Sequence, residues 1–148
     1  MLNKLKADLI IAMKIKDTIT RDTLQVLISS FNSFIKENKL TVLTSEQEIN
    51  LVQRELKQNR ESLEFAIKSR RQNLIDEGNQ KINLLLSYLP QQMTEEQIEE
   101  IIVKALNTLN LTTPNKTDKG RIMKEIMPQL KGKAEGKMID IILSKFII

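Results

Sequence analysis

Apolar residues recur at three- and four-residue intervals in seven stretches along this chain, and that periodicity narrows its fold more than any other feature. Leu2, Leu5, Leu9, Ala12 and Met13 make the first stripe and predict a helix over about the first sixteen residues. Side chains three and four apart share one side of a helix, whereas a strand would alternate them between two faces. The apolar content is carried by Leu, Ile and Met, with aromatics at only 3%, and the polar positions are rich in Glu, Gln and Lys, all good helix formers. Four glycines and three prolines supply too few turns for a many-stranded fold. The expected class is all-α.

The polar run Lys16-Asp17-Thr18-Ile19-Thr20 offers several caps for a second helix, whose stripe is Leu24, Leu27, Ile28, Phe31 and Ile35. Ser45-Glu46-Gln47-Glu48 reads as a capping box with Ser45 as the cap, opening a third helix that carries Ile49, Val52, Leu56 and Leu63. The pattern weakens near Ser69. A fourth helix follows with Leu74, Ile82, Leu85, Leu86 and Leu89; Gly78 within it costs about 1 kcal/mol relative to alanine and marks either a kink or a break. Pro90, which disfavours helix at the residue before it, and Thr94-Glu95-Glu96-Gln97, a second capping box, make the clearest boundary. The expected organisation is therefore a four-helix domain over 1–90 and a three-helix domain over 91–148. In the latter, Ile98, Ile101, Ile102, Ala105, Leu106 and Leu109 give the cleanest apolar face, and Asn110 to Asn115 form a loop. Thr117 or Asp118 caps a sixth helix with Ile122, Met123, Ile126, Met127 and Leu130 inward and Pro128 near its end. A seventh starts around Ala134 and carries Met138, Ile139, Ile142, Leu143 and Phe146.

The chain has neither cysteine nor histidine. That removes disulfides, thiolate nucleophiles, imidazole acid–base catalysis and the usual zinc ligands together. No calcium-loop pattern and no G-x-S-x-G elbow appears, and with neither histidine nor cysteine a hydrolase triad is excluded. The expectation is no catalytic site of its own, no metal site and no cofactor. The N-terminal segment Met-Leu-Asn-Lys-Leu-Lys-Ala-Asp lacks the apolar core of a signal peptide, and no run nears the roughly 18 apolar residues of a membrane span. A soluble, cytoplasmic protein with no membrane partner is expected, consistent with the lack of cysteine.

The net charge of +4 is mildly basic, but the charge is unevenly spread. Between Lys116 and Lys137 lie seven basic residues (Lys116, Lys119, Arg121, Lys124, Lys131, Lys133, Lys137) against three acids (Asp118, Glu125, Glu135), together with three of the four glycines. The helix before it, Thr94 to Leu109, holds four acids and one lysine. Glycine permits close backbone approach and helix N-termini present unpaired amides, so Lys131-Gly-Lys133 ahead of a helix can hold a phosphate. Lysines used in this way give affinity without reading bases. The alternative is that Gly132 and Gly136 form a tight turn between helices and the lysines a solvated rim, the commoner use of such a stretch. Gly132 to Lys137 is not a P-loop: it is one residue short between glycines, lacks Ser or Thr after the lysine and follows a helix. The mixed charges of Arg54 to Glu64 suit a solvated helix face, Met123 and Met127 suit a core, and Glu95 and Glu96 suit a helix N-terminus.

Four segments resemble the GatB/YqeY family in order and spacing: Arg54-Glu-Leu-Lys-Gln58, Tyr88-Leu-Pro-Gln-Gln-Met-Thr-Glu-Glu-Gln97, Asp118-Lys-Gly-Arg-Ile-Met123, and Met127-Pro-Gln-Leu-Lys-Gly-Lys-Ala-Glu-Gly-Lys137. The chain looks like a stand-alone YqeY-like protein. The resemblance implies a four-helix part followed by a three-helix part. It also implies kinship with the tail domain of the B subunit of the glutamine-dependent Asp/Glu-tRNA amidotransferase, a carbon–nitrogen ligase with glutamine as amido-N-donor. There the tail contacts tRNA while other domains, absent here, carry the amide and ATP chemistry. The expected partner is thus tRNA, with an amidotransferase or another translation protein as the alternative. The expected nucleic-acid-binding residues are Lys119, Gly120, Arg121, Lys124, Lys131, Gly132, Lys133, Gly136 and Lys137.

Overall fold

The computed structural model describes residues 1–148 as seven α-helices and no strand. They form two compact units, Met1–Leu89 and Pro90–Ile148.

In the first unit, α1 (Leu2–Lys14) pairs with α2 (Thr18–Glu37), α3 (Ser45–Lys68) pairs with α4 (Gln72–Ser87), and α2 also packs on α3 and α4. Asp17 is the N-cap of α2: its carboxylate accepts the Thr20 amide at 3.1 Å and the Thr20 hydroxyl at 2.7 Å, which holds its pKa below the usual carboxylate value. The capping box of α3 lies one residue earlier than the spacing predicts. Thr44 is the cap, accepting the Gln47 amide at 3.1 Å while the Gln47 side chain accepts the Thr44 amide at 2.9 Å. Two adjacent hydroxyls followed by two adjacent Glu/Gln residues write the same pattern in both registers. The choice falls with the packing of Leu51, Val52 and Leu56, all buried.

The core of this unit is Leu5, Leu24, Leu27, Phe31, Leu51, Val52, Leu56, Ile82 and Leu85, with Tyr88 and Leu89 closing it. Tyr88 donates its hydroxyl to Asp8 at 2.5 Å, and the Lys4 ammonium sits 5.4 Å from the ring centroid, so the end of α4 is tied to α1. Burial, then the Asp8 carboxylate, push the Tyr88 phenol well above its ordinary pKa. Met13 and Leu74, which the stripes place inward, are exposed instead. Gly78 neither breaks nor ends α4, which runs through it. A Cβ there would stand 3.1 Å from Leu63 Cδ1, so the missing side chain admits Leu63 of α3.

The second unit packs α5 (Glu95–Thr108) against α6 (Lys119–Leu130) and α7 (Gly136–Ser144). Thr94 and Gln97 form the expected reciprocal box, at 3.2 and 3.0 Å, with Glu95 and Glu96 in the first turn. The core is Ile98, Ile102, Ala105, Ile122, Ile126, Leu130, Ala134, Ile139, Ile142 and Leu143. Pro128 lies in the last turn of α6 on its exposed side, where loss of a backbone donor is tolerated. The last helix begins at Gly136 rather than Ala134, because Ala134 is buried in the connection and Glu135 is the N-cap. Met138 turns outward and is exposed.

Candidate nucleic-acid interface

Apolar periodicity decides which basic side chains can meet a ligand. Ile122, Ile126 and Leu130 fix the inner side of α6, with Met123 and Met127 packed beside them, and Gly120, Arg121, Lys124, Glu125, Pro128 and Gln129 are left for solvent. Gly120, Arg121 and Lys124 are all exposed; Arg121 and Lys124 stand three apart and Gly120 and Lys124 four apart, so the three share one outward stretch of helix surface. A Cβ on Gly120 would meet nothing within 4 Å, so the backbone there is open to an approaching group.

Lys119 is the exception on this helix. Its ammonium pairs with the Asp140 carboxylate of α7, which clamps the start of α6 to α7. Both partners are partly exposed, so the pair contributes on the order of 0–1 kcal/mol. It nonetheless engages the Lys119 charge with a partner of the same chain.

The second group lies at the other end of α6. Lys131 is the C-cap, Gly132 follows in left-handed backbone (φ 76°) and is buried, and Lys133 is exposed. Glycine adopts that conformation at no steric cost. The Gly132 carbonyl accepts the Gln92 side-chain amide at 2.8 Å, and the Lys133 carbonyl accepts the Met93 amide at 2.7 Å. Gln92 also donates to the Pro90 carbonyl at 2.9 Å. The turn is thus locked to the segment that precedes α5, and Gly132 is a turn residue rather than a point of ligand approach. Gln92 is a part of this arrangement that residue type and spacing do not reveal, since its partner is forty residues away.

Gly136 and Lys137 open α7 and are exposed, and nothing surrounds the Gly136 position within 4 Å. No side chain caps α7, whose N-cap residue is Glu135. Lys131 and Lys137 each have partners within the chain. At 1.5 Å per residue, the seven residues from Lys124 to Lys131 separate the nearest members of the two groups by about 10 Å along the axis of α6. The nine predicted residues therefore divide into an open face (Gly120, Arg121, Lys124), a structured turn with an uncapped helix start (Lys131, Gly132, Lys133, Gly136, Lys137), and a neutralised Lys119.

No three acidic side chains converge in a way that could hold a metal ion, and no helix is long and apolar enough to cross a membrane.

Comparison with known proteins follows the same arrangement along the chain. Altered inheritance of mitochondria protein 41, mitochondrial, from Pyrenophora tritici-repentis (strain Pt-1C-BFP), is 26% identical over 135 residues, covering 90% of this chain and 72% of the fungal protein. A model of the Yqey-like protein family matches residues 2–147. With the match spanning both helical units, the chain belongs to the YqeY-like family.

Proposed function

We propose that this protein is a non-catalytic module that associates with tRNA through the basic surface of its three-helix unit. The observation that carries the reading is the exposed face of Gly120, Arg121 and Lys124 on α6, with Lys133 in the turn that follows that helix and Lys137 in the first turn of α7. Arginine and lysine on an open helix face neutralise phosphates without selecting bases, as an RNA partner read by shape requires. Membership of the YqeY-like family and the likeness of that family to an amidotransferase tail support the same ligand. In this reading any amide transfer from glutamine is carried out by other chains of a complex, and this one positions the RNA. The proposed compartment is the cytoplasm, although the fungal relative is mitochondrial by name.

The test is a titration of purified protein with tRNA at several salt concentrations. Affinity is expected to fall linearly in log–log form, and each of Arg121→Ala and Lys124→Ala is expected to lower the slope by about 0.7–0.9. A flat salt response removes the proposal.

A second reading, an adaptor for an amidotransferase or another translation protein, is favoured by one observation. At the C-terminal end of α1, Ile11 and the C-cap residue Ile15 stand four apart and are 57% and 67% exposed. Exposed large apolar side chains at helical spacing are the kind of surface a protein partner covers. Under this reading Ile11→Glu abolishes co-purification of a protein that survives nuclease treatment, and tRNA affinity is unchanged.

A further inference from the structure

The helical hairpin of α3 and α4 turns through only three residues, Ser69, Arg70 and Arg71. Arg70 takes left-handed backbone (φ 55°), and the amides of Arg70 and Arg71 close on the carbonyls of Ile67 and Ala66 at 3.1 and 3.2 Å. Backbone hydrogen bonds make the turn, with the Ser69 hydroxyl donating to the Phe65 carbonyl at 2.7 Å, and none of these bonds uses the two arginine side chains. From Phe65 to Ile75 the chain holds three cations and no acid, and Lys68, Arg70 and Arg71 are all exposed.

Beside them Phe65 is 71% exposed. A single exposed apolar side chain is ordinary on a protein surface. This one lines a cleft of about 330 Å³ between the two helices, near the lower end of the range for small-ligand sites. The cleft has apolar walls (Phe65, Leu74), polar groups (Asn59, Ser62) and two cations (Arg71, Lys81), with Glu77 as the acid on its wall. A nucleotide has matching parts: a flat apolar face, a hydrogen-bonding edge and an anion.

We propose that the tip of the α3–α4 hairpin binds an unpaired nucleotide of an RNA strand, its base stacked on Phe65 and its flanking phosphates held by Lys68, Arg70 and Arg71. Base stacking on an exposed aromatic side chain amid cations is sequence-tolerant and needs no preformed deep pocket. The order of residues argues against a lipid surface. A segment that enters a bilayer leads with apolar groups and keeps its cations at the headgroups; here the cations form the apex and Phe65 stands a helical turn behind them. The mixed lining argues against an acidic protein segment: the Asn59 amide already donates to the Glu55 carbonyl at 2.8 Å, but an apolar anchor would leave the Ser62 hydroxyl facing carbon, and Glu77 on the wall would repel the acids. This site shares with the reading above the class of ligand and none of the residues.

The experiment measures fluorescence anisotropy of the full chain with a labelled single-stranded RNA of about twelve nucleotides and with a blunt RNA duplex, at low salt. Phe65→Ala is expected to weaken single-strand binding between about five- and 150-fold and to leave the duplex unaffected, and Phe65→Trp to restore it. Because Phe65 is largely solvated, neither variant threatens the fold. Arg70→Ala with Arg71→Ala is expected to lower the salt slope for the single strand by about 1.4. Unchanged single-strand affinity in Phe65→Ala overturns the proposal, as does equal loss on the duplex. Binding of polyglutamate or of anionic phosphatidylglycerol vesicles, lost in Phe65→Ala while RNA binding is absent, overturns it in favour of those ligands. Arg121→Ala with Lys124→Ala separates the two sites. If that pair affects tRNA and Phe65→Ala affects no RNA, only the hairpin site fails; the reverse pattern removes only the surface of the three-helix unit.

Discussion

The residues that hold this molecule together in detail are polar ones at the ends of helices. Tyr88 shows the energetics. Its hydroxyl reaches Asp8 across eighty residues of chain, and burial and the carboxylate together keep its proton in place. The folded phenol therefore has a pKa above that of the unfolded chain. Its stabilising effect is complete below the unfolded tyrosine value near 10 and is lost as pH rises beyond it. Tyr88→Phe is expected to cost about 1–2 kcal/mol at neutral pH and to flatten the alkaline fall in stability, measured by urea denaturation between about pH 8 and 11. Asp17 works in the other direction. Its carboxyl is held low by Thr20, so the cap stabilises α2 above the unfolded value near 3.9 and is lost as pH falls below it. Four helix ends use left-handed backbone at Lys16, Lys39, Arg70 and Asn110 in place of glycine. That choice explains why a glycine-poor sequence marks its turns so faintly.

At the level of the helix, two features of the sequence acquire definite roles. Gly78 lets Leu63 approach α4, with the nearest contact to a Cβ falling on Leu63 Cδ1, the far end of a flexible and only partly buried side chain. That methyl can shift by a few tenths of an ångström. The helix preference of alanine, about 1 kcal/mol over glycine, is therefore expected to prevail, and Gly78→Ala should raise thermal stability slightly. Gly78→Leu should lower it by about 1–3 kcal/mol through overpacking. On α6 the ion pair with Asp140 withdraws Lys119 from the outward face. Asp140→Asn releases that ammonium at a stability cost of about 1 kcal/mol or less. It is expected to raise tRNA affinity a few-fold at low salt, read from the titration with tRNA.

Across the whole molecule, the two cores have no residue in common: one is built around Leu27, Phe31 and Leu56, the other around Ile102, Ile126 and Ile142. Leu27→Ala and Ile126→Ala each remove a fully buried side chain and should each cost about 2–5 kcal/mol. Amide hydrogen exchange is expected to show the largest loss of protection within residues 1–89 for the first and within 90–148 for the second. Much of this architecture is legible in the chain itself. Seven apolar stripes at helical spacing, the Thr94–Gln97 box and Pro90 give seven helices in order, because helix periodicity and capping are local properties. The register of the α3 cap, the outward turn of Met13, Leu74 and Met138, and the fate of Gly78 are not legible there, since each depends on which neighbour a helix meets. The same holds for the basic residues. Composition places seven cations between Lys116 and Lys137. Only the folded chain sets Lys119 against Asp140, ties the Gly132 turn to Gln92, and leaves Arg121 and Lys124 on an open face. Hydrophobic spacing acts over a few residues and is written in the sequence; the pairing of charges and amides acts through space and is settled by packing.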